Sequence, residues 1–128
     1  MVVLREARPD EAAAIAAAHA TAHFETYEPL FGAATRGLDP APLELAWRRA
    51  FRDKAIIRVA EDAGEIVGVG RLAGETLSDL YLRAGYRGQG LGSRMLAQLL
   101  AEARRRGVEM ARFNVHAANK PAIGFYEA

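Results

Sequence analysis

The chain has 128 residues, the length of one domain and enough for a core of its own. Its 17 basic and 16 acidic residues leave a formal net charge of +1, so there is no electrostatic footprint for nucleic acid or for an anionic membrane. It has no cysteine, which excludes disulfides, a thiol nucleophile and a Cys-based metal site and fits a cytoplasmic protein.

The opening "MVVLREARPDEAAA" puts acidic residues where a signal peptide needs an apolar core, and no run approaches membrane-spanning length. A soluble, cytoplasmic domain is expected. Residues 2–7 read as a first strand. Pro9 suits the first position of a helix, with Asp10 and Glu11 beside its positive end, and the helix runs through "AAAIAAAHATAHF". Residues 28–42, "EPLFGAATRGLDPAP", hold three prolines and two glycines and read as a loop. Asp39 with Pro40 or Pro42 starts a second helix, in which Leu43, Trp47 and Ala50 or Phe51 share a face.

"AIIRVAED" and "EIVGVGRLAG" are β-branched runs around a turn, and therefore a hairpin. "TLSDLYL" continues the sheet to residue 82. After a glycine stretch, a helix spans residues 91–106 and is closed by Gly107. Its apolar face is Leu91, Met95, Leu96, Leu99, Leu100 and Ala103. "MARFNVH" is the next strand, and "NKPAIGFYEA" begins a last helix capped by Asn119. The order β-α-α-β-β-β-α-β-α predicts one α/β domain of the α+β type over residues 1–128. Its mixed sheet has antiparallel early strands and a parallel pair across residues 76–116, joined by a right-handed crossover.

"YRGQGLGS" sets Gly88, Gly90 and Gly92 between a strand and a helix N-terminus, where free amides and the helix dipole make an anion site. A phosphate-binding P-loop is excluded because the chain has no Gly-Lys pair. A dinucleotide fingerprint fails where Ser93 stands for its third glycine, and it lacks the acidic residue after the following strand. HExxH is absent, so His19 and His23, four apart on the first helix, do not read as metal ligands. The serines, Ser78 and Ser93, do not sit in G-x-S-x-G. "RRR" at 104–106 reads as cations at a helix C-terminus.

"LYLRAGYRGQGLGSRML" resembles the Q/R-x-x-G-x-G/A stretch of the GNAT (GCN5-related) N-acetyltransferases, with Arg87, Gly90 and Gly92 at its defining positions. "NKPAIGFYE" resembles the N-x-x-A-x-x-x-Y element through Asn119, Ala122 and Tyr126. The opening residues and the "RVAEDAGEIVGVG" hairpin are similar to the family's first half, so nearly the whole chain is covered. The resemblance implies a GNAT-like sheet and acetyl-CoA as co-substrate, without a metal. It implies a pyrophosphate on the backbone of Arg87, Gly88, Gln89, Gly90, Leu91, Gly92 and Ser93, with pantetheine along the strand edge at Tyr81 and Leu82.

It further implies direct acetyl transfer to a primary amine, on a small molecule or a peptide. Leu82 N–H would hold the oxyanion, Tyr126 would protonate the departing thiolate, and Asn119 would contact the cofactor. Such an amine, with a pKa of about 10.4 if lysine-like, must lose a proton before it attacks. Asp79 is the first candidate base, with Glu75, Glu25 and Glu28 behind it. Two departures stand out: Ala84 replaces a frequent proline, and the family's two last strands are missing after Ala128. The expectation is a C-terminally short domain whose "MARFNVH" edge lies open, for which a homodimer would be a natural remedy. A non-catalytic acyl-CoA-binding or regulatory domain of the same fold is the alternative to an enzyme.

Overall fold

A computed structural model describes residues 1–32 and 37–108 and the backbone of residues 112–113. Strand β1 (Val2–Glu6) leads through a 3₁₀ turn (Pro9–Glu11) into helix α1 (Ala12–Phe31), and α2 follows (Pro40–Arg52). Strands β2 (Ile56–Asp62), β3 (Glu65–Ala73) and β4 (Thr76–Leu82) precede α3 (Leu91–Arg105) and β5 (Arg112–Phe113). The sheet order is β1-β2-β3-β4-β5. β1 to β4 are antiparallel neighbours, and β5 lies parallel to β4, as the strand-helix-strand reading requires.

Helices α1 and α2 cover one face of the sheet, where Ile15, Ala16, Trp47, Ile57, Val59 and Val69 are buried together. Alanine on the inner face of α1 leaves no bulk to hold it off the sheet. Helix α3 covers the other face through Met95, Leu99 and Ala103 on Ile56, Ala60, Leu72 and Leu77. That contact needs glycine in β3. A Cβ at Gly70 would stand 2.8 Å from Leu99 Cδ1 and 3.0 Å from Met95 Sδ, and one at Gly68 would stand 2.5 Å from Leu82 Cδ2. The β2–β3 hairpin turns on Ala63 and Gly64, both at positive φ (52° and 85°), as a tight hairpin demands.

One boundary differs from the sequence reading. Residues 28–31 extend α1 as helix rather than loop, and Pro29 lies inside it. A proline there forfeits the bond its N–H would donate to the Glu25 carbonyl. Arg87 Nη1 approaches that carbonyl at 3.5 Å, and Gly32 N–H closes the helix on Glu28 O. The lost donor is replaced by a guanidinium from a distant loop. Among the described residues no helix is long and apolar enough to cross a membrane.

Candidate active site

Arg83 N–H bonds Val67 O of β3 at 2.9 Å. Peptide directions alternate along a strand, so the N–H of Leu82 turns the other way, toward the far edge of β4. Among the described residues β5 pairs with β4 only at Thr76 and Leu77, and no described strand takes up that edge at Leu82. The Leu82 carbonyl accepts from Arg87 Nε at 3.0 Å.

The glycine loop follows directly. Glu25 Oε1 accepts from Arg83 Nε (2.9 Å) and from Ala84 N–H (3.2 Å), fixing the 3₁₀ turn Ala84–Tyr86 to α1. Tyr86 Oη donates to Asp62 Oδ2 at 2.7 Å, which holds the Asp62 carboxyl below its ordinary range and pushes the Tyr86 hydroxyl up. Arg87 Nη2 donates to Thr26 Oγ1 (2.8 Å) and Ala22 O (3.2 Å). Gly88 and Gly90 stand at φ 75° and 80°, a region that disfavours side chains, and a Cβ on either would meet nothing within 4 Å. The first helical bond of α3 runs from Arg94 N–H to Gly90 O (3.1 Å). The N–H groups of Leu91, Gly92 and Ser93 therefore lie ahead of the ladder, at the positive end of the helix. Leu91 is buried and seats that end. The result is an anion cradle one turn beyond a strand edge that no described strand takes up at Leu82.

Helix α1 runs alongside β4 on the face opposite α3. His19 Nδ1 accepts from the Trp47 indole N–H at 3.1 Å, so the neutral ring carries its proton on Nε2, which faces Asp79 Oδ1 at 3.7 Å. Asp79 Oδ2 is 2.6 Å from Arg71 Nη2 but outside hydrogen-bond alignment, a contact of charges. The Arg71 guanidinium also lies over the Trp47 ring at 5.1 Å. Tyr81 packs on His19 with centroids 4.5 Å apart, and His23 packs on Tyr27 at 4.5 Å and near Tyr81 at 6.2 Å. Burial lowers the pKa of His19, against the pull of Asp79, and burial lowers that of His23.

Tyr81, Leu82 and residues 87–93 thus share one corner of the fold. Asp79 is on the same strand, but its side chain lies against Arg71 and His19 beneath α1. Tyr126 and Asn119 lie outside the described residues. The sequence reading missed Arg71 and Trp47 as the partners that organise His19 and Asp79, and no local pattern marks them. Arg87, read as a cofactor residue, spends its side chain on α1 and on Leu82, leaving its backbone to the loop. A groove of about 410 Å³ at the end of α2, lined by Arg49, Asp53, Arg71 and Gly74 among others, is a separate feature. Among the described residues no group of three or more His, Asp or Glu is placed to hold a metal ion.

The profile described as the acetyltransferase (GNAT) family matches residues 14–128. No curated protein matches the chain. Among solved structures, the PaiA N-acetyltransferase of Thermoplasma acidophilum, in complex with coenzyme A, is 16% identical with a TM-score of 0.76 over 99% of this chain and 87% of that one. YncA of Salmonella typhimurium, with its cofactor acetyl-CoA, is 21% identical with a TM-score of 0.73 over 99% and 77%. A ribosomal-protein-alanine N-acetyltransferase from Brucella melitensis is 23% identical with a TM-score of 0.72 over 98% and 81%. At these identities the likeness is one of fold.

Proposed function

The chain belongs to the GNAT acetyltransferase family, and on that premise we propose that it transfers the acetyl group of acetyl-CoA directly to a primary amine of a small molecule or peptide. The observation that carries this reading is the Leu82 edge of β4, which no described strand takes up, leading straight into the amides ahead of the helical ladder at the start of α3. The amides of residues 88–93 take the pyrophosphate, the Arg87 N–H being given to Ala84 O (3.4 Å), and Gly88 and Gly90 leave the space above the backbone clear for it. The pantetheine arm lies along the β4 edge at Tyr81 and Leu82. Leu82 N–H, preorganised by the sheet, donates to the oxyanion that forms when the amine attacks the thioester carbonyl.

Tyr126 gives its proton to the departing thiolate, and Asn119 contacts the cofactor. With no cysteine in the chain, no cysteinyl acyl-enzyme intervenes. Asp79, the first candidate base, has its charge already matched by Arg71 and lies against His19. The test is thiol release from acetyl-CoA with a panel of primary amines. Release with at least one amine, together with formation of the acetylated product, is expected. Acetyl-CoA binding without release across the panel would favour the non-catalytic acyl-CoA-binding domain instead.

A further inference from the structure

We infer that His23 is the base that takes the ammonium proton of the acceptor, a role that rests on the acetyl-transfer reading above. Three contacts set its position. α1 and β4 run side by side in the same direction: His19 meets Asp79, His23 meets Tyr81, and Glu25 meets Arg83 and Ala84. His23 therefore stands level with Tyr81 and Leu82, where the oxyanion donor is proposed, on the face of the sheet that α3 does not cover.

His19, Asp79, Glu25 and Arg87 along this contact are already committed. His19 uses Nδ1 to accept from Trp47 and turns Nε2 to Asp79. Asp79 lies between His19 and Arg71. Glu25 holds Arg83 and the Ala84 amide. The Arg87 guanidinium is bonded to Thr26, Ala22 and Leu82. Asp79 Oδ2 is without a hydrogen bond but lies against the Arg71 guanidinium. His23 differs in having no ion-pair partner among the described residues: its Nδ1 is enclosed without a hydrogen-bond partner, and its half-buried ring is held between Tyr27 and Tyr81. The base role requires the neutral ring to carry its hydrogen on the enclosed Nδ1, which leaves the Nε2 lone pair as the one through which the ring exchanges a proton. Burial pushes the imidazole below its ordinary value, so the ring is neutral at a pH where an alkyl amine is still charged.

The ammonium gives one proton to His23 Nε2, and the freed lone pair forms the C–N bond as the thioester carbonyl becomes the oxyanion at Leu82 N–H. Collapse breaks the C–S bond, and the thiolate takes the Tyr126 proton. The second proton lost from the amine nitrogen restores Tyr126, and His23 returns its proton to solvent. Nothing beyond acetyl-CoA and the amine is consumed.

The experiment measures kcat/KM for thiol release from about pH 5 to about pH 9, a profile that reports the ionisations of the free enzyme. The probes are n-butylamine, benzylamine and a tetrapeptide with a free N-terminal alanine, and acetyl-CoA affinity is measured alongside. The wild-type profile falls on the acid side with unit slope and a pKa below about 6.5. His23→Gln loses about a hundredfold in rate and loses that acid limb, while acetyl-CoA affinity holds. Added imidazole restores part of the rate to His23→Ala, which loss of packing alone would not permit. A His23→Gln enzyme that keeps the acid limb, or a His23→Ala enzyme that binds acetyl-CoA but gains nothing from imidazole, overturns the base role and leaves acetyl transfer standing. Binding without release from any of the three amines overturns acetyl transfer and the base role together.

Discussion

Arg87 donates through all three guanidinium nitrogens, to Leu82 O, Thr26 Oγ1, Ala22 O and Glu25 O. The first position of the glycine motif thus ties three parts of the chain together, and the ligand is left to the backbone that follows. Lysine cannot reproduce a fork of donors. Arg87→Lys and Arg87→Ala should each lower stability by about 1–3 kcal/mol and weaken acetyl-CoA binding, since both the loop and the repaired turn at Pro29 lose their anchor. Calorimetric titration and thermal melts check this; an Arg87→Ala protein with the wild-type Tm would reduce Arg87 to a surface residue. Tyr126 carries a different expectation. Replacing it with Phe should slow acetyl transfer at least about tenfold and leave acetyl-CoA affinity nearly unchanged, and an unchanged rate removes it from the acid role.

At the scale of elements, what could be read from the sequence was what local chemistry decides. The β2–β3 hairpin, β4 ending at Leu82, α2 capped by the Asp39 side chain on Ala41 N–H (3.0 Å), and α3 closing at Gly107 each have their signal within a few residues. The end of α1 was not legible, because the Glu25 carbonyl that Pro29 leaves without its helical donor is approached from residue 87 (3.5 Å). The pairing of His19 with Trp47 and of Asp79 with Arg71 was hidden for the same reason: α1, α2, β3 and β4 each contribute one side chain, and none announces the others. The start of the chain shows such a junction with a measurable consequence. Arg5 bonds Glu11 at 2.9 and 2.6 Å and Glu61 at 2.8 Å, joining β1, the turn before α1 and β2. Those bonds hold the Glu11 carboxyl at about 2, against an ordinary 4.5. A folded-state value below the unfolded one contributes stability above about pH 4.5 that is lost as the pH falls toward about 2, of order 2–3 kcal/mol for a carboxylate this well enclosed. Stability tied to the lowered values of His19 and His23 begins to fall earlier, below their ordinary 6.5. Comparing urea denaturation of the wild type with that of Glu11→Gln isolates the lower step. The difference should be present at pH 6 and vanish near pH 2, and a difference that persists at pH 2 would reject the linkage.

For the molecule as a whole, the two faces of the sheet divide the work. The α3 face positions the anion cradle, because Gly70 lets α3 settle closely on β3, while Gly68 makes room for Leu82 of β4. The α1 face carries the titratable groups beside the β4 edge at Leu82. Gly70→Ala probes the first of these, since its Cβ would press on Leu99, Met95 and Leu80 at 2.8, 3.0 and 3.2 Å. A cost of about 1–3 kcal/mol is expected from such overpacking, and a melt unchanged from wild type would mean that α3 can shift without loss. Ligand binding probes the assembled whole. Acetyl-CoA at about a hundred times its dissociation constant should stabilise the folded chain by about 2.7 kcal/mol, which for a domain of this size raises Tm by about 8–10 °C. NAD and ATP serve as controls because both carry a pyrophosphate that the α3 amides could hold, while neither has a pantetheine arm to lie along the edge at Leu82. A rise with acetyl-CoA well above the rise with NAD or ATP therefore shows that cradle and edge act as one site. Equal rises with all three would mean that the cradle binds phosphate alone and that the β4 edge at Leu82 takes no part.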